Sequence, residues 1–137
     1  MEKMNTKEKI KILIVDDNEE ILEMYRSKFQ KDSESFEVFT ESNGLKAIPL
    51  ANEVEPDVIL LDIMMPNLDG IETLNVIRKY STFDPLVIFF SNLSEDQYIK
   101  KSMGMEADYF FSKAEHTPNE ILNKVKEIIY NKYLQKG

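Results

Sequence analysis

Five residues with charged or reactive side chains stand at or just beyond the ends of short apolar runs in this chain: Asp16, Asp17, Asp62, Ser91 and Lys113. A carboxylate beside a hydrophobic run is costly unless a cation or hydrogen-bond donors compensate its charge. Asp62 shows the problem most clearly, because the four residues before it, Val58–Leu61, are all apolar. The chemistry open to these residues depends on whether the fold gathers them.

Gathered in one place, these residues would form a receptor for a phosphoryl group. Three nearby carboxylates raise one another's pKa unless a cation lies between them. Mg²⁺ suits that role because it takes oxygen ligands and needs only one or two direct carboxylates. Lys113 would add a point charge for an anion, and Ser91 a hydrogen-bond donor. Asp62 would then be a nucleophile as well as a metal ligand.

Each of these residues alone also has an ordinary structural explanation. An Asp after a strand commonly forms a turn or caps a helix, and the Asp16–Asp17 pair could cap a helix that begins near Asn18. A lone lysine such as Lys113 is usually solvated. The joint pattern at several strand ends favours a shared site over these separate explanations.

The elements that must position these residues alternate along the chain. Short apolar runs predict five strands, at Ile10–Val15, Phe36–Thr40, Asp57–Leu61, Pro85–Phe90 and Asp108–Phe111. Amphipathic stretches predict five helices, at Asn18–Gln30, Asn43–Ala51, Asp69–Tyr80, Ser94–Met103 and Thr117–Leu134. This alternation predicts an α/β fold with a doubly wound parallel sheet and helices on both faces. Sites in such sheets form beyond the carboxyl ends of the strands.

The composition argues against several classes of protein. The 137 residues are enough for one domain with a proper core and too few for two comfortable ones. A net charge of −8 argues against binding to a nucleic acid backbone and suits partners that are proteins or cations. No segment predicts a membrane span or a signal peptide. The chain has no cysteine, which fits a cytoplasmic location.

The sequence resembles the receiver domain of bacterial two-component response regulators, from about Ile10 to Leu134. The resemblance rests on a combination of four motifs in order: "ILIVDDN" (12–18), "LLDIMMPNLDG" (60–70), "VIFFSN" (87–92) and "ADYFFSK" (107–113). It implies a flavodoxin-like, five-stranded parallel sheet of order 2-1-3-4-5 with five helices. It also implies a single receiver domain over residues 1–137, with a core at about 10–134 and no visible output domain.

The resemblance implies a metal site for Mg²⁺. Asp17 and Asp62 would bind the ion directly, together with the backbone carbonyl of Met64. Asp16 would act mainly through water. Gly70 would supply a small, permissive backbone position in the loop that lets the carbonyl reach the metal.

The resemblance also implies a signalling role. Asp62 would accept a phosphoryl group from a sensor histidine kinase or a histidine phosphotransfer protein. Lys113 would pair with Asp62 and then with the phosphoryl oxygens, Ser91 would bind the phosphoryl group after transfer, and Phe110 would occupy the aromatic switch position. The chain would catalyse its own phosphorylation and slow dephosphorylation without being a conventional enzyme. Its downstream protein target is not indicated, and neither nucleic acid nor membrane is expected as a direct partner.

Three positions depart from the usual pattern of that family. Ala114 stands where proline usually follows the lysine. A cis bond before a residue other than proline costs roughly 2.5–4 kcal/mol, so a rearranged loop is expected after the fifth strand. Asn92 replaces a small residue and is expected to narrow access to Asp62. Phe110 lacks the hydroxyl of the commoner tyrosine, so switching would depend on ring packing.

Three alternative functions fit these residues less well. A haloacid-dehalogenase-type phosphatase also uses an Asp at a strand end but needs a second Asp two residues later, where this chain has Met64. The second alternative is a degenerate receiver that serves as a phosphorylation-independent docking module. The complete set of site residues disfavours it, whereas the unusual residues Asn92 and Ala114 are compatible with it. A dinucleotide site is disfavoured because no G-x-G-x-x-G motif occurs.

Overall fold

The computed structural model describes residues 9–102 and 107–134. Its strands are β1 Ile10–Val15, β2 Phe36–Glu41, β3 Val58–Asp62, β4 Leu86–Ser91 and β5 Tyr109–Ser112. Its helices are α1 Glu19–Gln30, α2 Gly44–Val54, α3 Gly70–Tyr80, α4 Glu95–Ser102 and α5 Pro118–Ile129, and a π-helical turn, Tyr130–Leu134, follows α5. The predicted alternation of strands and helices is confirmed.

The five strands form one sheet in the order β2-β1-β3-β4-β5, and every neighbouring pair is parallel. The predicted order is therefore confirmed. The chain passes from β1 to β2 on one side and then to β3 on the other side of β1. This reversal places a crevice at the carboxyl ends of β1 and β3, where ligands bind in sheets of this kind.

Two hydrophobic cores cover the two faces of the sheet, because successive strand residues point to opposite sides. On one face, residues such as Ile12, Ile14 and Phe90 pack against α1 and α5, and we call this the α1–α5 core. On the other face, residues such as Leu13 and Phe89 pack against α2 and α3. None of the helices in the described ranges is long and apolar enough to cross a membrane.

Four strands, β2 to β5, end one residue later than the sequence predicts. Asp62, Ser91 and Ser112 are the last residues of β3, β4 and β5 rather than the first residues beyond them. The parallel ladder continues to these positions, since Asp62 pairs in register with Phe90, and Ser91 with Ser112. Asp62 and Ser91 are consequently held by the sheet itself instead of by a loop.

Helix α2 continues three residues past its predicted end at Ala51 and ends at Val54. Glu55 then adopts a left-handed conformation with φ 49°, and its N–H donates to the Ala51 carbonyl. Pro49 lies in the interior of the helix rather than near its end. Both Pro49 and Leu45, whose carbonyl loses its helical donor, are exposed, so water can replace the missing hydrogen bond.

Side chains cap the starts of several helices. The Asn18 side chain accepts hydrogen bonds from two backbone N–H groups at the start of α1, and the Asn43 side chain accepts one at the start of α2. Capping boxes begin α3, with Asp69 and Glu72, and α5, with Thr117 and Glu120. The last helix becomes π-helical at Tyr130 instead of continuing as an α-helix to its predicted end. Met103, the predicted end of the fourth helix, lies outside the described residues.

Candidate functional site

The three predicted carboxylates lie together at the crevice beside β1. Asp16 and Asp17 directly follow β1, and Asp62 ends β3 on the neighbouring strand. One oxygen of each carboxylate lies within 4.8 Å of the other two. Asp16 and Asp62 are buried, while Asp17 is exposed. Parallel strands therefore bring together residues that are distant in sequence.

Both oxygens of Asp16 have partners within the protein. Oδ1 accepts a 2.8 Å hydrogen bond from the Asn18 backbone N–H, which forms the turn into α1. Oδ2 accepts a 2.8 Å hydrogen bond from the Lys113 ammonium. Among the described residues, none donates a hydrogen bond to the Asp17 side chain. Asp17 is therefore the carboxylate of the cluster that is most open to an external cation.

Asp62 has weaker compensation for its charge. Its Oδ1 accepts a 3.3 Å hydrogen bond from the Met64 N–H, and its Oδ2 lies 3.6 Å from the Lys113 ammonium. Burial raises the pKa of Asp62 to about 7, and the charges of Asp16 and Asp17 also raise it, whereas Lys113 and the Met64 N–H lower it. Nearby acidic groups disfavour ionisation of Asp62 in a site that is shielded from water. A cation bound here would therefore favour the carboxylate form of Asp62.

The donor set fits Mg²⁺. Three carboxylates share the site with one ammonium, so negative charge remains in excess. Oxygen ligands of this kind suit a hard divalent cation, and the exposed Asp17 leaves room for the waters that Mg²⁺ retains. The position of the Met64 carbonyl relative to an ion stays a prediction. The side chain of Met64 is exposed, as expected for a residue that is not a side-chain ligand.

Lys113 reaches the site in spite of the alanine that follows it. The Lys113–Ala114 peptide bond is trans. The Lys113 N–H donates a 2.6 Å hydrogen bond to the Ser91 carbonyl, which ties the end of β5 to β4. The side chain is 13% exposed and contacts both buried carboxylates, with Asp16 the closer. The predicted pairing of Lys113 with Asp62 is thus present as the longer of two contacts.

The loop after Asp62 depends on a close approach that only glycine permits. The Gly70 N–H donates a 2.8 Å hydrogen bond to the Ile63 carbonyl, so the start of α3 folds back onto the end of β3. A Cβ at Gly70 would overlap the Asp62 carbonyl oxygen. Between these residues, Asn67 adopts φ 69°, a left-handed conformation that asparagine tolerates better than most residues. A side chain at position 70 would therefore collide with the end of β3, which agrees with the expectation that the loop needs a small residue there.

Ser91 and Phe110 lie on the face of the sheet opposite to the face from which Asp62 projects. Ser91 is fully buried, and its Oγ accepts a 3.3 Å hydrogen bond from the Leu93 N–H. The Phe110 ring stacks on Tyr98 of α4, with ring centroids 4.3 Å apart and planes 1° from parallel. Phe89 makes an edge-to-face contact with the same tyrosine, with ring centroids 5.7 Å apart. Phe110, the predicted switch residue, therefore packs against α4.

Sequence reasoning did not identify Tyr98 as the contact of Phe110. It lies in the amphipathic stretch that predicts the fourth helix, and its spacing there is ordinary for a residue that faces the sheet. Asn92, which is expected to narrow access to Asp62, is exposed, and its effect on access stays a prediction.

A family model for the response regulator receiver domain matches residues 12–126. The chain belongs to the response regulator receiver domain family. The alkaline phosphatase synthesis transcriptional regulatory protein PhoP of Bacillus subtilis is 33% identical over 121 residues, which cover 87% of this chain and 48% of PhoP. The chain thus spans about half the length of that relative.

Solved receiver domains share the fold. The response regulator domain of Thermotoga maritima CheB is 29% identical with a TM-score of 0.75, and the match covers 94% of this chain and 99% of that domain. The chemotaxis protein CheY4 of Vibrio cholerae is 23% identical with a TM-score of 0.76, covering 88% and 98% of the two chains, and indicates the fold alone. The resemblance read from the four sequence motifs is confirmed. As a receiver domain of a two-component system, the chain has an acidic pocket compatible with Mg²⁺ and with phosphorylation on an aspartate.

Proposed function

We propose that this receiver domain accepts a phosphoryl group on Asp62 and uses it to switch a protein-interaction surface. The observation that carries the proposal is the position of Asp62. It is a buried carboxylate whose Oδ2 faces the Lys113 ammonium at 3.6 Å, while Asp16 and Asp17 complete an acidic cluster beside it. A carboxylate placed only for structure would be expected to have stronger compensation for its charge.

Asp17 and Asp62 would hold Mg²⁺ directly, with Asp16 acting mainly through water. This division is supported by the structure of the cluster, since both Asp16 oxygens already accept hydrogen bonds and Asp17 is open. When bound, the ion supplies charge compensation for the carboxylates and for the phosphoryl oxygens. It would also keep Asp62 ionised at neutral pH, which a nucleophilic carboxylate requires.

In the transfer step, an oxygen of Asp62 forms a bond to phosphorus while the bond from phosphorus to the donor breaks. For a phosphohistidine donor the electron pair of the breaking P–N bond stays on the imidazole nitrogen, and the product is an acyl phosphate on Asp62. Lys113 would turn from Asp16 toward the phosphoryl oxygens and stabilise their negative charge. Ser91 would donate its hydroxyl to the phosphoryl group once its Oγ moves from the Leu93 N–H.

The switch would run from Ser91 to Phe110 and then to α4. Because Phe110 stacks on Tyr98, a change in the packing of Phe110 would be felt by the helix that carries Tyr98. A phosphoryl group can shift such an equilibrium only by binding one arrangement better than the other. Ser91 would provide that difference, since its hydroxyl would bind the phosphoryl group in one arrangement and accept from the Leu93 N–H in the other.

Receiver domains accept phosphoryl groups from histidine kinases, so a sensor histidine kinase or a histidine phosphotransfer protein is the proposed donor. The downstream partner in this proposal is a protein that recognises the surface formed by α4, β5 and α5. Direct contact with nucleic acid or with a membrane forms no part of it. The proposal includes a cytoplasmic location, which the cysteine-free sequence fits.

The test is phosphorylation by acetyl phosphate in the presence of Mg²⁺. We expect the intact protein to gain the mass of one phosphoryl group, which hydroxylamine removes. Asp62→Asn should gain none, whereas Asp84→Asn, which removes an exposed carboxylate elsewhere, should behave like the wild type. If the folded wild-type protein gained no phosphoryl group from acetyl phosphate or from a panel of histidine kinases, a docking module that works without phosphorylation would replace this proposal.

A further inference from the structure

The Lys113 ammonium lies over the face of an aromatic ring. Its Nζ is 4.6 Å from the centroid of the Phe90 ring, and Phe90 is fully buried in β4. An ammonium within about 6 Å of a ring face is attracted by the negative charge of the π system, and more strongly where water is excluded. Lys113 is 13% exposed, so this contact is largely shielded from water.

Phe90 is placed beside the proposed phosphoryl acceptor by the sheet. It pairs in register with Asp62 across the β3–β4 ladder, so the two side chains project from the same face. The Tyr25 ring, from α1, and the Phe90 ring meet edge to face, with centroids 5.4 Å apart and planes at 81°. Tyr25 is buried as well. The Phe90 ring therefore contacts both Tyr25 and the Lys113 ammonium.

We infer that Phe90 is a positioning residue for Lys113, and that Tyr25 fixes the orientation of the Phe90 ring. The inference rests on the proposed function, because it assigns Lys113 a role toward the phosphoryl oxygens. A lysine side chain has many rotamers, and two carboxylates compete for this one. The ring offers a third attractive surface that confines the ammonium to the space between Asp16 and Asp62.

The ring also allows Lys113 to change partners at low cost. A π face attracts a cation without a fixed direction, whereas a hydrogen bond to Asp16 fixes one. As the ammonium turns from Asp16 toward a phosphoryl group on Asp62, it can stay over the ring throughout. Replacing the ring by an aliphatic side chain should leave the ammonium bound to Asp16 and slow the transfer.

The decisive variants keep the size of the side chain and change its π system. Phe90 would be replaced by phenylalanines that carry one, two and three fluorines, which weaken the negative charge on the ring face stepwise. Phe90→Leu removes the ring altogether. Phe89→Leu is the matched control, because Phe89 is equally buried in β4 but packs in the other core, against Tyr98.

Two measurements test the inference. The first is the NMR shift of the Lys113 ε-methylene protons, which ring currents should place upfield of those of the other lysines in the wild type and in Phe89→Leu. In Phe90→Leu that displacement should vanish. The second is the rate of phosphorylation by acetyl phosphate, which should fall stepwise with fluorination, by about fivefold in total, and remain within about twofold of wild type in Phe89→Leu.

The outcomes separate this inference from the proposed function. Lys113 methylene protons at an ordinary shift, or fluorinated variants that react as fast as wild type, would overturn the positioning role even though Asp62 is phosphorylated. A wild-type protein that shows the ring-current shift but takes up no phosphoryl group would refute the proposed function and, with it, any role of Phe90 in transfer. Should Phe90→Leu not fold, the fluorinated series decides alone.

Discussion

Lys113 donates a 2.8 Å hydrogen bond to Oδ2 of Asp16. Asp16 is fully buried, so this contact compensates a charge that would otherwise be costly in the interior. Lys113 comes no closer than 3.6 Å to Asp62. In the structure the ammonium thus stabilises the carboxylate that is not the proposed phosphoryl acceptor, and Asp62 keeps more of its negative charge uncompensated.

This arrangement predicts that the contribution of Lys113 to stability depends on Asp16. Lys113→Met should lower the free energy of unfolding by about 2 kcal/mol in the absence of Mg²⁺, because it leaves Asp16 without its charged partner. In an Asp16→Asn background the loss should shrink to less than about 1 kcal/mol. Urea unfolding followed by circular dichroism measures both values. Lys100→Met, at an exposed site on α4, is the control and should change little. An equal loss in both backgrounds would show that Asp16 and Lys113 are not coupled.

The raised pKa of Asp62 predicts a pH dependence of stability. The pKa is about 7 in the folded protein, against about 3.9 in an unfolded chain. Between these values the folded state binds a proton that the unfolded state does not, so the contribution to stability is present at low pH and is lost as pH rises through about 7. At pH 8 without divalent ions, Asp62→Asn should be more stable than the wild type by on the order of 2 kcal/mol. Near pH 4 the two should be equal.

The measurement is the free energy of unfolding of both proteins in EDTA at several pH values. Titrating groups away from the site contribute equally to the two proteins, so their difference reports Asp62 together with the charges that interact with it. A difference that does not change with pH would show that Asp62 titrates normally in the folded protein.

The open position of Asp17 predicts how Mg²⁺ binding responds to substitution. Asp17→Asn should weaken the binding of Mg²⁺ about tenfold, equivalent to about 1.4 kcal/mol. Asp16→Asn should weaken it less, since Asp16 already accepts two hydrogen bonds within the protein. Calorimetric titration of each variant with Mg²⁺ gives the dissociation constants. A larger effect at Asp16 would reverse the roles assigned to the two residues.

The sequence predicts which residues reach the site, because the alternation of strands and helices decides which chain ends share an edge. It does not predict how their side chains pair. Lys113 has two carboxylates within reach, and the choice between Asp16 and Asp62 depends on differences of less than 1 Å between atoms. The ends of the strands are likewise set by the pairing of residues between strands, and not by the local sequence. Asp62 belongs to β3 because the ladder with β4 continues through its partner Phe90, a fact about pairing that no local pattern contains.

The aromatic contacts around the site also cannot be predicted from the sequence. The apolar run at Pro85–Phe90 predicts a strand, and β4 is buried along its whole length. It does not distinguish Phe89, which meets Tyr98, from Phe90, which lies under Lys113. That distinction depends on which helix covers each face of the sheet. The same holds for Tyr98, which has the spacing of an ordinary helical residue.

The stack of Phe110 on Tyr98 predicts the path of the switch. Beryllofluoride, which stands in for a phosphoryl group on a carboxylate, should shift NMR signals in α4, β5 and α5 as well as in the loops around Asp62. In Tyr98→Leu the shifts in α4 should decrease, because the helix loses its contact with Phe110. Tyr80→Leu, at an exposed site in α3, should respond like the wild type. Unchanged α4 shifts in Tyr98→Leu would mean that the signal bypasses this stack.

The central claim is that Asp62 itself carries the phosphoryl group, and chemical mapping tests it most directly. After phosphorylation by acetyl phosphate with Mg²⁺, borohydride reduces an aspartyl phosphate to homoserine, which peptide mass spectrometry can locate. We expect homoserine at position 62 and not at positions 16 or 17. Homoserine at either of those two positions, with Asp62 recovered unmodified, would contradict the account.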